Sequence, residues 1–122
     1  MGTGSSGANV GNTGGSHDNG FPEVNGHSTE LHKGSQGKHI PGHNNYTPGK
    51  GIIDGGMTAA QNLILEGAGK GMSVGGKKER VDFGRIIGTY KDLNGNSLRT
   101  TVGIICYSKK GAHIVPARPK GK

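Results

Sequence analysis

The chain has 122 residues, of which 29% are hydrophobic and 26 are glycine, and its formal net charge is +7 at pH 7. A globule of this length is ordinarily about 45–50% apolar, so the composition excludes a uniformly packed chain and favours a short folded part diluted by a flexible one. The longest apolar runs, Leu63–Leu65 and Val102–Cys106, fall far short of the roughly 20 residues a membrane-spanning helix needs, so no membrane span is expected.

Residues 1–37 are mostly Gly, Ser, Asn, Thr and His. Their few large apolar side chains, Val10, Phe21, Val24 and Leu31, follow no period. Such a segment buries too little surface to offset its ordering entropy, and it is expected to be a disordered leader or linker. It shows no charged n-region followed by an apolar stretch and a cleavage site, so no cleavable signal peptide is expected. Its histidines, His17, His27 and His32, lack tight metal-ligand spacing. The texture changes at Lys38. A folded domain is expected over 38–119, with a basic tail at 120–122.

Lys38–Lys50 (KHIPGHNNYTPGK) holds two prolines, two glycines and an Asn pair, the chemistry of an ordered loop. Thr58 is the expected N-cap of a helix over Ala59–Glu66, whose apolar stripe is Met57, Ala60, Leu63 and Ile64 and which ends at Gly67 and Gly69. A Gly- and Lys-rich loop over Gly71–Lys78 follows. Val81–Tyr90 reads as a first strand with a bulge at Gly84. Asn94-Gly95 is a hairpin turn. Arg99–Tyr107 reads as a second strand with Val102, Ile104 and Cys106 on one face, and Lys109–Gly111 turns the chain into a third strand, Ala112–Pro116. The fold class is therefore α+β: a small antiparallel meander packed against one or two helices.

Charge is distributed unevenly. Residues 1–37 have one Lys and three acids (1 − 3 = −2), whereas residues 38–122 have fourteen Lys/Arg and five acids (14 − 5 = +9). A field of that sign attracts polyanions, nucleic acid above all. Several chemistries are excluded by what is missing. The single Cys106 rules out an internal disulfide framework, a multi-cysteine zinc site and the zinc-deaminase motif, and is expected to be a small core residue. Lys70 is followed by Gly71, so the Gly67–Gly76 stretch is not a Walker loop. The histidines of the basic part suit a reaction that needs no metal, attack of a ribose 2′-hydroxyl on its own phosphodiester. That reaction needs a base and an acid titrating near neutrality and cations for the charged phosphorane. His39 and His113 are the candidate acid and base, Arg80 the candidate phosphate clamp, and Thr101 a further candidate on the central strand. Tyr107 is either a core edge or a platform for base stacking.

Six segments then appear in order: KHIPGHNNY (Lys38–Tyr46), TPGK (Thr47–Lys50), KERVDFG (Lys78–Gly84), IG-Y (Ile87, Gly88, Tyr90), TT (Thr100–Thr101) and YSKKGAHIVPARP (Tyr107–Pro119). Together they resemble the bacterial polymorphic toxin type 50 domain, bacterial toxin 50, over about Gly37 to Pro119. The resemblance implies a Barnase–EndoU–colicin–RelE-like fold, ribonuclease activity without a cofactor, secretion or delivery into the cytoplasm of a target cell, and an immunity protein as partner. The basic charge makes an acidic immunity protein the expectation, with RNA as the substrate and a monomer as the working unit. The matched segments make Lys38, His43, Tyr46, Lys78, Thr100, Tyr107, Ser108 and Lys109 candidate substrate contacts. His43 departs from the residue more usual at its position, so its place in a site stays open. Two other readings compete: a non-catalytic nucleic-acid-binding module of a phage or virion, and a metal-dependent DNase built on His39, Asn44 and His113.

Overall fold

The computed structural model describes residues 21–119. A disordered leader over 1–20, with His17, and a basic tail over 120–122 are expectations that lie outside the described residues. The order of elements is β1 (Glu23–Val24), β2 (His27–Ser28), α1 (Lys33–Gln36), a 3-10 turn (Gly37–His39), β3 (Ile52–Ile53), α2 (Gly56–Gly67), β4 (Met72–Ser73), β5 (Lys78–Asp82), β6 (Gly88–Lys91), β7 (Ser97–Thr100), β8 (Val102–Ser108) and β9 (Gly111–Pro116). The strands make a two-stranded hairpin β1-β2, a three-stranded sheet β3-β6-β7 and a four-stranded sheet β4-β5-β8-β9, and each ladder is antiparallel. The α+β class is as the sequence indicates, but the sheet is not one meander.

The two long predicted strands are each broken at the same level. Asp82 Oδ1 accepts the Gly84 N–H at 2.9 Å and Gly84 sits at φ +75°, so β5 stops in a tight turn. Across from it, Thr100 Oγ1 accepts the Val102 N–H at 3.0 Å and donates to the Ala117 carbonyl at 2.8 Å. The corner is stitched by Phe83 N–H to the Thr101 carbonyl and Ile87 N–H to the Thr100 carbonyl, both 2.9 Å. The segment Lys78–Ser108 is thus one long hairpin bent in the middle, its base in the larger sheet and its tip in the smaller. Asn94-Gly95 turns the tip as expected, with Gly95 at φ +84°. Past the corner the buried face of β8 is Gly103, Ile105 and Tyr107. Val102, Ile104 and Cys106 share the other face, as their alternation indicates, and along it only Val102 is fully buried.

The core lies between α2 and that buried face. Ala60, Leu63 and Ile64 of the predicted helical stripe pack with Val81, Ile105, Tyr107, Ala112 and Ile114, and Met57 packs at the margin. The helix starts earlier than Thr58: Gly55 at φ +89° is its N-cap, with no side-chain capping bond. The Gly71–Lys78 loop is instead a short hairpin, with Met72 opposite Arg80 and Ser73 opposite Glu79.

The predicted boundary at residue 37 falls inside the packed structure. Val24 and Leu31 pack on the core, and Thr29 and Gln36 are fully buried. Residues 29–36 form a strap along the free edge of β9. His32 N–H donates to the Ala112 carbonyl and Ala112 N–H to the Glu30 carbonyl, both at 2.8 Å, and Gln36 takes both backbone groups of Ile114. On its other side Gln61 of α2 accepts the Leu31 N–H and donates to the Thr29 carbonyl, both at 2.8 Å. Polar bonds from outside the segment order it, which is why its apolar pattern does not reveal it.

Candidate functional site

The alternation of strand side chains sets the site face. On β5 and β9, Glu79, Val81, Ala112 and Ile114 are buried towards α2. Lys78 and Arg80, and His113 and Val115, lie on the other face. Register then does what spacing alone does not: Cys106 stands opposite both Lys78 and His113. Lys78, Cys106 and His113 form one row across three strands, with Arg80, Ile104 and Val115 as the next row.

His39 comes to this row from the 3-10 turn. Only 9% of its surface is exposed, and Nδ1 lies 2.9 Å from the Gly51 carbonyl. A carbonyl can only accept, so Nδ1 carries the proton. Burial lowers the His39 pKa, the Gly51 bond partly offsets this, and the charges of Lys50 and Lys38 lower it further. A neutral ring with its proton on Nδ1 leaves the lone pair on Nε2, the form a general base requires. His113 is pushed down to about 4, first by burial, then by repulsion from His39, Lys38, His32 and Lys78. Those four groups are its electrostatic neighbours, and at neutral pH both imidazoles are uncharged.

His32, read from sequence as part of the leader, caps α1: its Nδ1 accepts the Ser35 N–H at 3.2 Å. Cys106 is half-exposed on the site row rather than buried in the core, and burial among its neighbours raises its pKa, keeping the thiol protonated. Lys38 is exposed beside His39, and Lys109 is exposed in the β8-β9 turn close to the row's end. Ser108 shapes that turn, donating to the Gly111 carbonyl at 3.0 Å and accepting the Lys110 N–H at 3.2 Å. Arg80 donates to the Arg118 carbonyl at 2.6 Å, about 7 Å along β5 from Lys78.

Other candidates are used elsewhere. His43 Nδ1 accepts the Asn45 N–H at 3.0 Å and its ring fills the space beside Gly37, where any Cβ would overlap it. Tyr46, half-buried, donates its N–H to the His43 carbonyl at 3.0 Å. Thr100 is buried in the corner. Thr101 lies at the same corner, five residues along β8 from Cys106, roughly 16 Å at strand spacing, so it does not join the histidines. Tyr107 is a core residue rather than a base platform: its hydroxyl donates to Glu79, and its ring stacks on His27 with centroids 4.6 Å apart. The Glu79 carboxylate also accepts the Gly69 and Gly71 N–H groups at 2.7 and 2.9 Å. Its pKa is lowered: burial opposes the charge, and the Tyr107, Gly69 and Gly71 bonds outweigh it.

The largest structural roles that sequence reading missed, those of Gln36, Gln61 and Glu79, all belong to polar side chains bonding distant backbone or a distant hydroxyl. No periodicity marks such residues. A shallow hollow lined by Glu66, Lys70, Met72, Arg80 and Phe83, among others, opens at the end of α2, and the histidines do not line it. Among the described residues no three His, Cys, Asp or Glu side chains converge as metal ligands, and no helix is long and apolar enough to cross a membrane.

No curated protein matches the chain. The family model of bacterial toxin 50 matches residues 31–116. That span begins at Leu31, which bridges to Ala112 within the strap, and ends on the last residue of β9. It takes in both histidines, most of the strap and the bent hairpin, and it covers more than half of the chain: this protein belongs to the bacterial toxin 50 family.

Proposed function

We propose that this toxin domain is a metal-independent endoribonuclease. The ribose 2′-hydroxyl attacks the adjacent phosphodiester and leaves a 2′,3′-cyclic phosphate and a 5′-hydroxyl. The observation that carries the reading is the His39 side chain, neutral, anchored through Nδ1 to the Gly51 carbonyl and close enough to His113 for the two rings to interact electrostatically. His39 Nε2 takes the 2′-hydroxyl proton, and His113 gives a proton to the departing 5′-oxygen. Lys78, Lys38 and Arg80 offset the charge that builds on the phosphorane.

The cations that repel a proton from His113 in the free protein are the groups that hold a phosphate. Burial is the largest cause of the low His113 pKa and the cations add to it; a bound phosphodiester brings negative charge among them and shifts His113 back towards its protonated form. Substrate binding therefore arms the acid. Thr101 takes no part in this scheme.

The test is cleavage of a defined RNA by the full chain in EDTA, with the termini mapped. Cleavage with a cyclic phosphate end, and none when the scissile ribose is 2′-deoxy, supports the reading. Normal cleavage of the 2′-deoxy substrate overturns the mechanism. Cleavage of DNA that needs added metal favours a DNase, and tight binding without cleavage favours a non-catalytic module.

A further inference from the structure

We propose that Gln36 is a positioning residue that holds the His39 turn in register with the strand that carries His113. The inference rests on the reading of His39 and His113 as the reacting pair.

Gln36 is an uncharged polar side chain with no exposed surface. Its Nε2 donates to the Ile114 carbonyl at 2.9 Å, and its Oε1 accepts the Ile114 N–H at 2.7 Å. These partners are 78 residues away in sequence. The carboxamide behaves as a peptide group would. Ala112 is paired to the strap backbone, and two residues on, where the strap has turned into α1, the Gln36 side chain supplies the next pair of bonds.

The two ends of this contact give it a further role. Gln36 ends α1 and is the N-cap of the 3-10 turn Gly37–His39, so one helical turn separates it from His39. Ile114 directly follows His113. A two-point bond resists both sliding and rotation, so it sets how far His39 stands from His113. The Gly51 carbonyl orients the His39 ring from the loop before β3, and Gly51 lies against Pro116 at the far end of β9, whereas the Gln36 bond acts at the residue next to His113. Gln61 bonds the same strap to α2 through Leu31 and Thr29, and these bonds reach neither the His39 turn nor β9. It secures the strap without setting the pair, which makes it the matched control.

The test compares Gln36→Met and Gln61→Met in the full chain, with wild type alongside. Two readouts are used: steady-state RNA cleavage, and the titration of His113 followed by NMR. His113 is faced by His39 and Lys38 from the turn, His32 from the start of α1 and Lys78 from β5. Loosening the turn removes the first two and lets the His113 pKa rise towards its ordinary value. For Gln36→Met the expected result is that rise together with a kcat loss of about 10- to 100-fold at little-changed KM, since misplacing a reacting group by about 1 Å has effects of that size. Gln61→Met is expected to lower the melting temperature and leave both readouts near wild type.

A folded Gln36→Met with unchanged His113 titration and kcat overturns the proposal, as does an equal change in Gln61→Met. Should Gln36→Met not fold, Gln36→Glu decides. Its protonated carboxyl reproduces both bonds and its carboxylate cannot donate. A His113 resonance that returns to the wild-type position as that carboxyl protonates supports positioning. One that is the same on both sides of that protonation overturns it. The NMR arm stands apart from activity: if wild type cleaves no RNA, the ribonuclease reading falls, while the titration still reports on the geometry.

Discussion

His39 and His113 are single side chains whose chemistry depends on their surroundings, and they carry the sharpest predictions. His39→Ala and His113→Ala should each lose at least about 10²-fold in RNA cleavage, the usual contribution of a positioned acid or base. Thr101→Ala should stay near wild type, because the corner keeps it away from the row. Circular dichroism must show all three folded, and a Thr101→Ala loss equal to that of His39→Ala would mean the active row has been placed wrongly. The same histidines make stability depend on pH. His113 titrates near 6.5 when unfolded and at about 4 when folded, and His39 is shifted in the same direction. Between those values the unfolded chain binds the proton and the folded chain does not, so stability is present above about 6.5 and is lost as pH falls towards 4. Urea midpoints should fall over that window, and His113→Gln, which cannot titrate, should flatten the fall. A midpoint independent of pH there contradicts the burial of both rings.

At the scale of elements, the strap over 29–36 acts as an edge strand made partly of side chains. It covers the free edge of β9, which otherwise presents the backbone groups of Ala112 and Ile114 for pairing with another chain. A chain starting at residue 38, the boundary that composition suggests, should therefore melt lower and self-associate. A chain starting at residue 21 should behave as the full chain does. Thermal melts and size-exclusion chromatography read both. Equal melting and a monomeric profile for the shorter chain would show that the strap only lies on the surface. The bent hairpin makes a second point at this scale. Its base supplies Lys78, Arg80 and Cys106, and its tip lies in the other sheet, so changes near Asn94-Gly95 should alter stability without touching the row.

For the molecule as a whole, charge matters more than shape. Residues 38–122 carry +9 by formal count, which speeds capture of any polyanion and favours an acidic partner surface. We propose that the domain reaches the cytoplasm of a target cell as a monomer, and that an acidic immunity protein covers Lys38, His39, Arg80 and Lys109. The product of the gene directly downstream should restore growth to cells expressing the full chain. It should block RNA cleavage at near-equimolar amounts, with association slowing as salt rises, because the Debye length shrinks from about 10 Å at 0.1 M to about 3 Å at 1 M. A downstream product that neither binds nor restores growth contradicts the proposed partner.

Local chemistry alone determined a good part of this protein. The helical stripe of Ala60, Leu63 and Ile64, the Asn94-Gly95 turn, the strand Ala112–Pro116, the α+β class and the family all follow from short-range pattern. The stripe, the turn and the strand each depend on residues within a few positions of one another, where periodicity and turn preference act, and the class and family follow from the order of such short segments along the chain. Tertiary structure alone decided the rest. It bent the long hairpin at Gly84 and Thr100, and turned Cys106 out to the site face and Tyr107 in to Glu79. It drew residues 21–37 into the fold and brought His39 to His113 across 74 positions of sequence. These outcomes rest on bonds between distant partners, Gln36 to Ile114 and Tyr107 to Glu79 among them, and on cross-strand register. A polar side chain carries no mark in sequence of the distant group it will bond, because that partner exists only once the chain has closed.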